Sequence, residues 1–303
     1  MRLVLFAPNA IKNIHIKILL SLQLMCKFGN IEFTICTQLE RLQIPDYDLL
    51  YVVNCFIEPT TLPSHVKIIF GPQIDVFQPG FTGPFREDLV GKCVFNGLSE
   101  WAIKMREEFV RCSIPTVCFP FAVNIDQFKP HNTQKDLDCL VYIKHRKADF
   151  VEKALTILNQ IGLSYETITY SNYMEFDYMK LLERAKFMLC LDAHESQGFA
   201  LEEAMAANVP LLVCDVKSMY EEYYGDLQVN ADKKPKHLLA TSVPYWSEQC
   251  GIRIFDLEDL PAAIETMKTT EFHPRDYIVE NLSAKVCIDR ILNYFKLIEQ
   301  SKL

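Results

Sequence analysis

The chain has 303 residues, half of them hydrophobic and 23% charged, which excludes a disordered or fibrous protein and suffices for two α/β domains. A formal net charge of -8 and an isoelectric point near 5.5 oppose non-specific attraction to nucleic acid, so no nucleic-acid partner is expected and any anion site must be local. Eleven cysteines occur with no Cys-x-x-Cys pair. Several of them (Cys36, Cys139, Cys190, Cys214) sit inside apolar runs, which argues for a reducing compartment and against a disulfide framework or a zinc site.

From the start of the chain, Leu3 to Ala7 is too short an apolar stretch, and too soon interrupted by Pro8-Asn9, to act as a signal sequence. No apolar run approaches the roughly eighteen residues of a membrane-spanning helix, so a cytoplasmic location is the expectation. The first thirty-one residues carry Arg2, Lys12, Lys17 and Lys27 with no Asp or Glu, which fits either an ordinary solvated helix face or a basic face for membrane contact. Short β-branched or aromatic runs then alternate with longer amphipathic ones, the pattern of parallel sheets wrapped by helices. Strands are predicted at Arg2 to Ala7, Ile31 to Thr37, Leu49 to Asn54, Val66 to Phe70, Lys92 to Asn96 and Thr116 to Phe119. Helices are predicted at Ile11 to Phe28 and Glu100 to Cys112, the second capped by the Ser99 hydroxyl. Gly71 to Gly91, rich in Gly and Pro, reads as a long loop.

A boundary is predicted where Lys-Pro-His-Asn-Thr-Gln-Lys-Asp, ending at Asp136, loses all apolar period. A second α/β unit follows, with strands at Cys139 to Ile143, Tyr165 to Tyr170, Phe187 to Leu191, Leu211 to Cys214 and Ile252 to Phe255. Its helices fall at Asp149 to Ile161, Glu175 to Ala185, Phe199 to Ala207 and Leu260 to Thr266, and after Pro274 the apolar period predicts one last helix. The domains are accordingly 1–130, 131–275 and a C-terminal helical segment 276–303 expected to pack back on the first. Asp46-Tyr-Asp48 and Asp136-Leu-Asp138 are read as solvated loop acids in linkers, not as metal ligands.

Ligands of open α/β sheets bind beyond the carboxyl ends of the strands, which directs attention to the stretch from Leu189 to Val213. Here a buried strand runs into a loop with one glycine and then into a short helix that Asn208 and Pro210 can stop. The helix start near Gly198, Phe199 and Ala200 leaves backbone N–H groups free for an anion, and Gly198 lets a ligand approach the main chain. Glu195 and Glu203 flank that start and suit neutral hydroxyls on either side. In Cys139-Leu-Val-Tyr-Ile-Lys-His-Arg-Lys147 a strand runs directly into three cations within four positions, a diphosphate clamp in chemical type.

The segment Glu195-Ser-Gln-Gly-Phe-Ala-Leu-Glu-Glu203, followed by Ala-Met-Ala and Pro210, resembles the Glu-x7-Glu motif of retaining GT-B glycosyltransferases, family 4 in particular. Ala122-Val-Asn-Ile-Asp-Gln-Phe-Lys-Pro130 is similar to the interdomain segment of that family. The resemblance covers roughly residues 115 to 215 and implies the GT-B fold, two Rossmann-like doubly wound parallel-sheet domains facing a central cleft. It implies that Glu195 contacts a donor sugar and Glu203 a ribose, and that Gly198, Phe199 and Ala200 supply main-chain contacts to sugar and diphosphate. By the same resemblance Lys144 and Arg146, with Lys147 next, hold the diphosphate, Gln197 belongs to the donor loop, and Tyr170 or Ser171 meets the base. Glu195, Lys144 and Arg146 would then be the catalytic groups, with no metal ligand and no cofactor beyond a nucleoside-diphosphate sugar as co-substrate.

The sequence departs from the family in three places. Asn208 stands for the usual Gly before Pro, Ile143 replaces the glycine before the cations, and Pro8-Asn9-Ala10 takes the place of a Gly-Gly loop. Neither His15 nor His65 matches the N-domain histidine that many members carry, and His194 is read as a loop residue. The implied reaction moves a sugar from its nucleoside diphosphate to a hydroxyl of a glycan or glycoconjugate acceptor, with retention and without metal. A nucleotide-sugar epimerase or a non-catalytic nucleotide-sugar-binding protein would share the fold, whereas an NAD-linked oxidoreductase is disfavoured because no Gly-x-Gly-x-x-Gly follows a strand.

Overall fold

The structure is a computed structural model that describes residues 1–7, 16–42, 46–53, 55–72, 83–109, 112–131, 133–224, 227–228 and 240–301. The turn at Pro8-Asn9-Ala10, His15 and the beginning of the first predicted helix lie outside the described residues. The chain divides into two compact units, one formed by Met1–Ala122 with Leu282–Leu303 and the other by Val123–Asn281.

The first unit contains β1 (Arg2–Phe6), α1 (Ile16–Phe28), β2 (Glu32–Cys36), β3 (Leu49–Val52), β4 (Lys67–Phe70), β5 (Cys93–Asn96), α2 (Glu100–Phe109) and β6 (Thr116–Val117). Its six strands pair in parallel in the order β2-β1-β3-β4-β5-β6. Parallel strands covered on both faces need apolar residues at every position, and β3 and β5 are buried throughout. Ser99 departs from its expected role. Its carbonyl accepts from the N–H of Ile103 at 3.1 Å, as an N-cap carbonyl does, but its hydroxyl is buried with no hydrogen-bond partner.

The second unit runs through β7 (Leu137–Lys144), α3 (Ala148–Ile161), β8 (Tyr165–Thr169), α4 (Glu175–Arg184), β9 (Ala185–Asp192), α5 (Phe199–Ala206), β10 (Leu211–Cys214), the short pair β11 (Tyr223–Tyr224) and β12 (Leu227–Gln228), β13 (Gly251–Ile254), α6 (Leu260–Thr269) and α7 (Pro274–Leu282). Five of these strands pair in parallel in the order β13-β10-β9-β7-β8. Helix α3 illustrates how the sequence specifies its elements. Val151, Ala154, Leu155, Leu158 and Ile161 recur at three- and four-residue spacing, place one stripe against the core, and fully bury Ala154 and Leu158. Gly162 stops the helix in the left-handed conformation, donating its N–H to the carbonyls of Leu158 and Asn159.

The single helix expected after Pro274 is two, α7 and α8 (Ala284–Ser301). The chain bends at Ser283, whose carbonyl accepts the first bond of α8 from Cys287 at 3.0 Å. The apolar spacing carries across this break, so period alone does not reveal it. Helix α8 packs on α1, and its Ile288 lies against Gly29 just beyond that helix.

Asp46, Asp48 and Asp136 are exposed loop acids as expected, each engaged at the surface by a protein group, whereas Asp138 departs from that reading. Arg2 pairs with Asp46, and its backbone N–H donates to Asp48 at 2.8 Å. Asp136 accepts from Arg184 at 2.9 Å. Asp138 lies within β7 itself and accepts from Lys186 at 2.7 Å and from the Ser164 N–H and hydroxyl at 3.0 and 2.8 Å. Among the described residues no group of three or more His, Cys, Asp or Glu is arranged to hold a metal ion, no disulfide joins the cysteines, and no helix is long and apolar enough to cross a membrane.

Candidate functional site

The strand order of the second unit fixes where a ligand can enter. From β7 the chain moves outward to β8, then returns across β7 to β9, so the crossovers on either side of β7 diverge and leave a crevice at the carboxyl ends of β7 and β9. Lys144 ends β7, Asp192 ends β9, and the two are register partners. Asp215 follows the neighbouring strand β10 directly.

The loop after β9 is held from both sides. Ala193 donates its N–H to the Lys144 carbonyl at 3.1 Å, and Glu195 donates its N–H to the Thr241 carbonyl at 3.0 Å. Segment 241–242 is pinned in turn by Asp215, which accepts from the Thr241 hydroxyl at 2.8 Å and the Ser242 N–H at 2.7 Å, while the Ser242 hydroxyl donates to the Asp192 carbonyl at 3.0 Å. Gly198 then takes φ +96° and opens α5, and no side chain caps that end. Leu201 and Glu202 donate their N–H groups to the Gly198 carbonyl at 3.0 Å, and the uncapped start of the helix, with its dipole, is an anion-binding end in chemical type. Asn208 ends the turn after α5 at φ +58°.

Lys144, Tyr170, Glu195 and Gly198 are brought together. The Lys144 ammonium donates to Glu195 Oε1 at 2.5 Å and lies 4.5 Å from the centroid of the Tyr170 ring. Burial works against the Lys144 charge, but Glu195 and Asp192 together more than reverse this, so the ammonium holds its proton more tightly than a free lysine. Asp192 is fully buried, and its carboxyl lies beside that of Glu195, to which its protonated form can donate. Burial pushes its carboxyl well above the usual carboxylate range; Lys144 opposes this and Glu195 adds to it. Glu203, on α5, is buried close enough to Tyr173 and Tyr178 that its charge adds to burial in raising both phenols. The Tyr178 hydroxyl donates to the carbonyl of Ala200, and Phe199 is half-buried beside it. Ser171 is exposed in a left-handed turn at φ +62°, just after β8.

Three other predicted residues are engaged elsewhere. His145 takes φ +52° between Lys144 and Arg146 and turns the chain. The Arg146 side chain is only 2% exposed, donates to Glu221 at 3.1 Å and lies 4.0 Å over the Phe150 ring. Lys147 pairs with Asp149 at 2.9 Å where α3 begins. Gln197 is buried and donates to Glu202 of α5 at 3.0 Å. Of the three cations in the loop, Lys144 is thus the one set beside the Glu195 loop.

Sequence reasoning missed His145, Asp192, Asp215, Glu221, Glu222, Thr241 and Ser242. Glu222 faces both histidines, with His194 at 3.1 Å and His145 at 3.5 Å, and the Tyr223 N–H donates to the His145 carbonyl at 2.7 Å. The ring of Tyr224 lies 4.2 Å from that of His145. The available signal was an acid directly closing an apolar strand, as in Leu189-Cys-Leu-Asp192 and Leu211-Leu-Val-Cys-Asp215.

No protein-family model matches the sequence, and no curated protein sequence matches it. Solved structures do. A sucrose-phosphate synthase from Thermosynechococcus elongatus is similar at a TM-score of 0.55 and 9% identity over 99% of both chains. The lipopolysaccharide outer core galactosyltransferase WaaB is similar at a TM-score of 0.51 and 10% identity over the whole of both chains. The chain has the GT-B fold, matched by these structures over nearly its whole length.

Proposed function

We propose that this protein is a retaining glycosyltransferase that binds a nucleoside-diphosphate sugar in its second unit and passes the sugar to a hydroxyl of a glycan or glycoconjugate. The observation that carries this reading is the juxtaposition of the Lys144–Glu195 ion pair with the Gly198 end of α5 at the strand crossover. A pyrophosphate would take Lys144 on one side and the N–H groups of Phe199 and Ala200 on the other. The departing diphosphate gains negative charge as the sugar becomes oxocarbenium-like, and donors fixed in advance at that charge lower the barrier most. Lys144 and α5 would supply them without a metal. Glu195 and Glu203 would accept hydrogen bonds from the sugar and ribose hydroxyls.

Arg146 enters this scheme only if it exchanges Glu221 for phosphate. Its unpartnered Nη2 supports such an exchange, because a buried guanidinium N–H without an acceptor gains from an anion that reaches it.

A thermal-shift screen against nucleoside diphosphates, followed by assay of the matching nucleotide sugars for transfer and slow hydrolysis, tests the reading. A ligand at one hundred times its Kd stabilises the native state by about 2.7 kcal/mol. The expected result is a rise in melting temperature with one diphosphate, lost in Lys144→Ala and Glu203→Ala. Binding with neither transfer nor hydrolysis would make the protein a nucleotide-sugar binder, conversion of the donor without acceptor an epimerase, and no shift with any diphosphate would sink the donor site.

A further inference from the structure

Helix α1 is apolar on both of its faces, and the described residues cover only one of them. Leu19, Leu22, Met25 and Cys26 are buried on the inner side, together with Ser21. The outer side carries Ile16, Leu20, Leu24 and Phe28, whose unbroken four-residue spacing keeps them within about 120° of the helix circumference. Ile16, Leu20 and Phe28 are 57%, 51% and 52% exposed, and Leu24 is half-buried. A helix apolar all round is ordinarily enclosed on all sides, and a continuous apolar stripe left in water marks an interaction surface.

The charges on the same side decide between the candidate occupants. Its polar residues are Lys17, Gln23 and Lys27, and the helix has no Asp or Glu, in a chain whose net charge is -8. The acids that come next in the chain and in the fold are already neutralised. Glu32 is held by Arg2 at 3.0 Å, and Asp289, beside the Ile288 that lies against Gly29, is held by Lys285 at 2.7 Å. A second copy docked by twofold symmetry would bring like lysines together with no acid on the helix to meet them. An anionic bilayer offers headgroup charge to both lysines and an acyl boundary to the apolar stripe.

We propose that α1 is a membrane-surface helix, lying along a bilayer that contains anionic phospholipid, with Ile16, Leu20, Leu24 and Phe28 at the acyl boundary and Lys17 and Lys27 among the headgroups. At about 20 Å the helix is too short to span the hydrocarbon core, so the contact is peripheral and reversible. The lysine stems lie along the apolar stripe while their ammonium groups reach outward to phosphate. This surface belongs to the first unit alone, goes beyond the transferase reading, and does not depend on it.

The test is sedimentation of the full chain with vesicles of phosphatidylcholine alone or of phosphatidylcholine and phosphatidylglycerol in equal parts. The wild type should sediment with the mixed vesicles and remain in solution with the neutral ones, and its binding should fall at high salt, where the screening length shrinks to about 3 Å. The double variant Lys17→Gln with Lys27→Gln should bind the mixed vesicles about tenfold more weakly or less still. Leu20→Gln with Phe28→Gln should lose binding altogether. Circular dichroism checks that each variant folds, and if one pair does not, the other carries the comparison. No sedimentation with either vesicle, equal binding to both, or binding that the variants leave unchanged would overturn the proposal. A dimer in the absence of lipid that Leu20→Gln with Phe28→Gln dissolves would overturn it in favour of contact between copies of the chain.

Discussion

Asp138, near the start of β7, accepts from the Lys186 ammonium and from the backbone and hydroxyl of Ser164, which together hold its carboxyl down to about 2 from an ordinary 3.8. A depressed carboxylate contributes stability above its unfolded pKa and loses it as the native form takes up a proton on acidification. The group is 29% exposed and its ion pair is screened, so its worth is about 1 kcal/mol and not the full value of the shift. Asp138→Asn should lower unfolding stability by about that amount at neutral pH, and the difference from wild type should vanish between about pH 4 and pH 2. Urea denaturation across that range measures it, and a constant difference at all pH values would mean that packing, not charge, is lost. The same residue marks the limit of what a sequence says about an acid. Asp136-Leu-Asp138 looks like any hydrophilic linker, because its partners come from two other places in the chain, Ser164 and the stretch that holds Arg184 and Lys186.

At the level of elements, two glycines separate conformational cost from steric cost. A Cβ on Gly198 would make ordinary contacts with the Glu195 side chain at 3.4 and 3.5 Å and the Ser242 carbonyl at 3.7 Å, so Gly198→Ala should cost about 1 to 2 kcal/mol through its left-handed backbone alone. A Cβ on Gly251, at φ +143°, would run into the carbonyl of Leu211 where β13 pairs with β10, so Gly251→Ala should cost clearly more and disrupt that edge of the sheet. Chemical denaturation of both variants gives the ranking, and the reverse order would refute it. The strands themselves were legible, since β7, β9 and β10 are continuous apolar runs that a two-faced sheet requires. The start of α5 was legible from one glycine followed by a helical pattern. Segment 241–242 was not, because it reaches Glu195 and Asp192 through a main-chain carbonyl and a hydroxyl that leave no mark on residue spacing. The Arg146–Glu221 pair was not legible for a related reason: the left-handed turn at His145 is invisible to a count of cations.

For the molecule as a whole, the first unit is discontinuous. Its sheet comes from the first 122 residues and its last helix from beyond the second unit. In α8, Ile288, Ile291 and Phe295 are buried and Tyr294 meets Phe119 edge-on at 5.5 Å. Three such side chains are worth about 1.5 to 3 kcal/mol each, comparable to the whole net stability of a domain at about 5 to 15 kcal/mol. A chain ending at Ser283 should therefore lose the calorimetric transition of the first unit and keep that of the second, whereas two intact transitions would show α8 to be dispensable. On the ribosome this arrangement sets an order of events. Val123–Asn281 emerges entire and can close on itself while the earlier-made sheet still waits for α8, so the portion translated first is the last to be completed, and its bare α1 face is what a chaperone would meet in the interval.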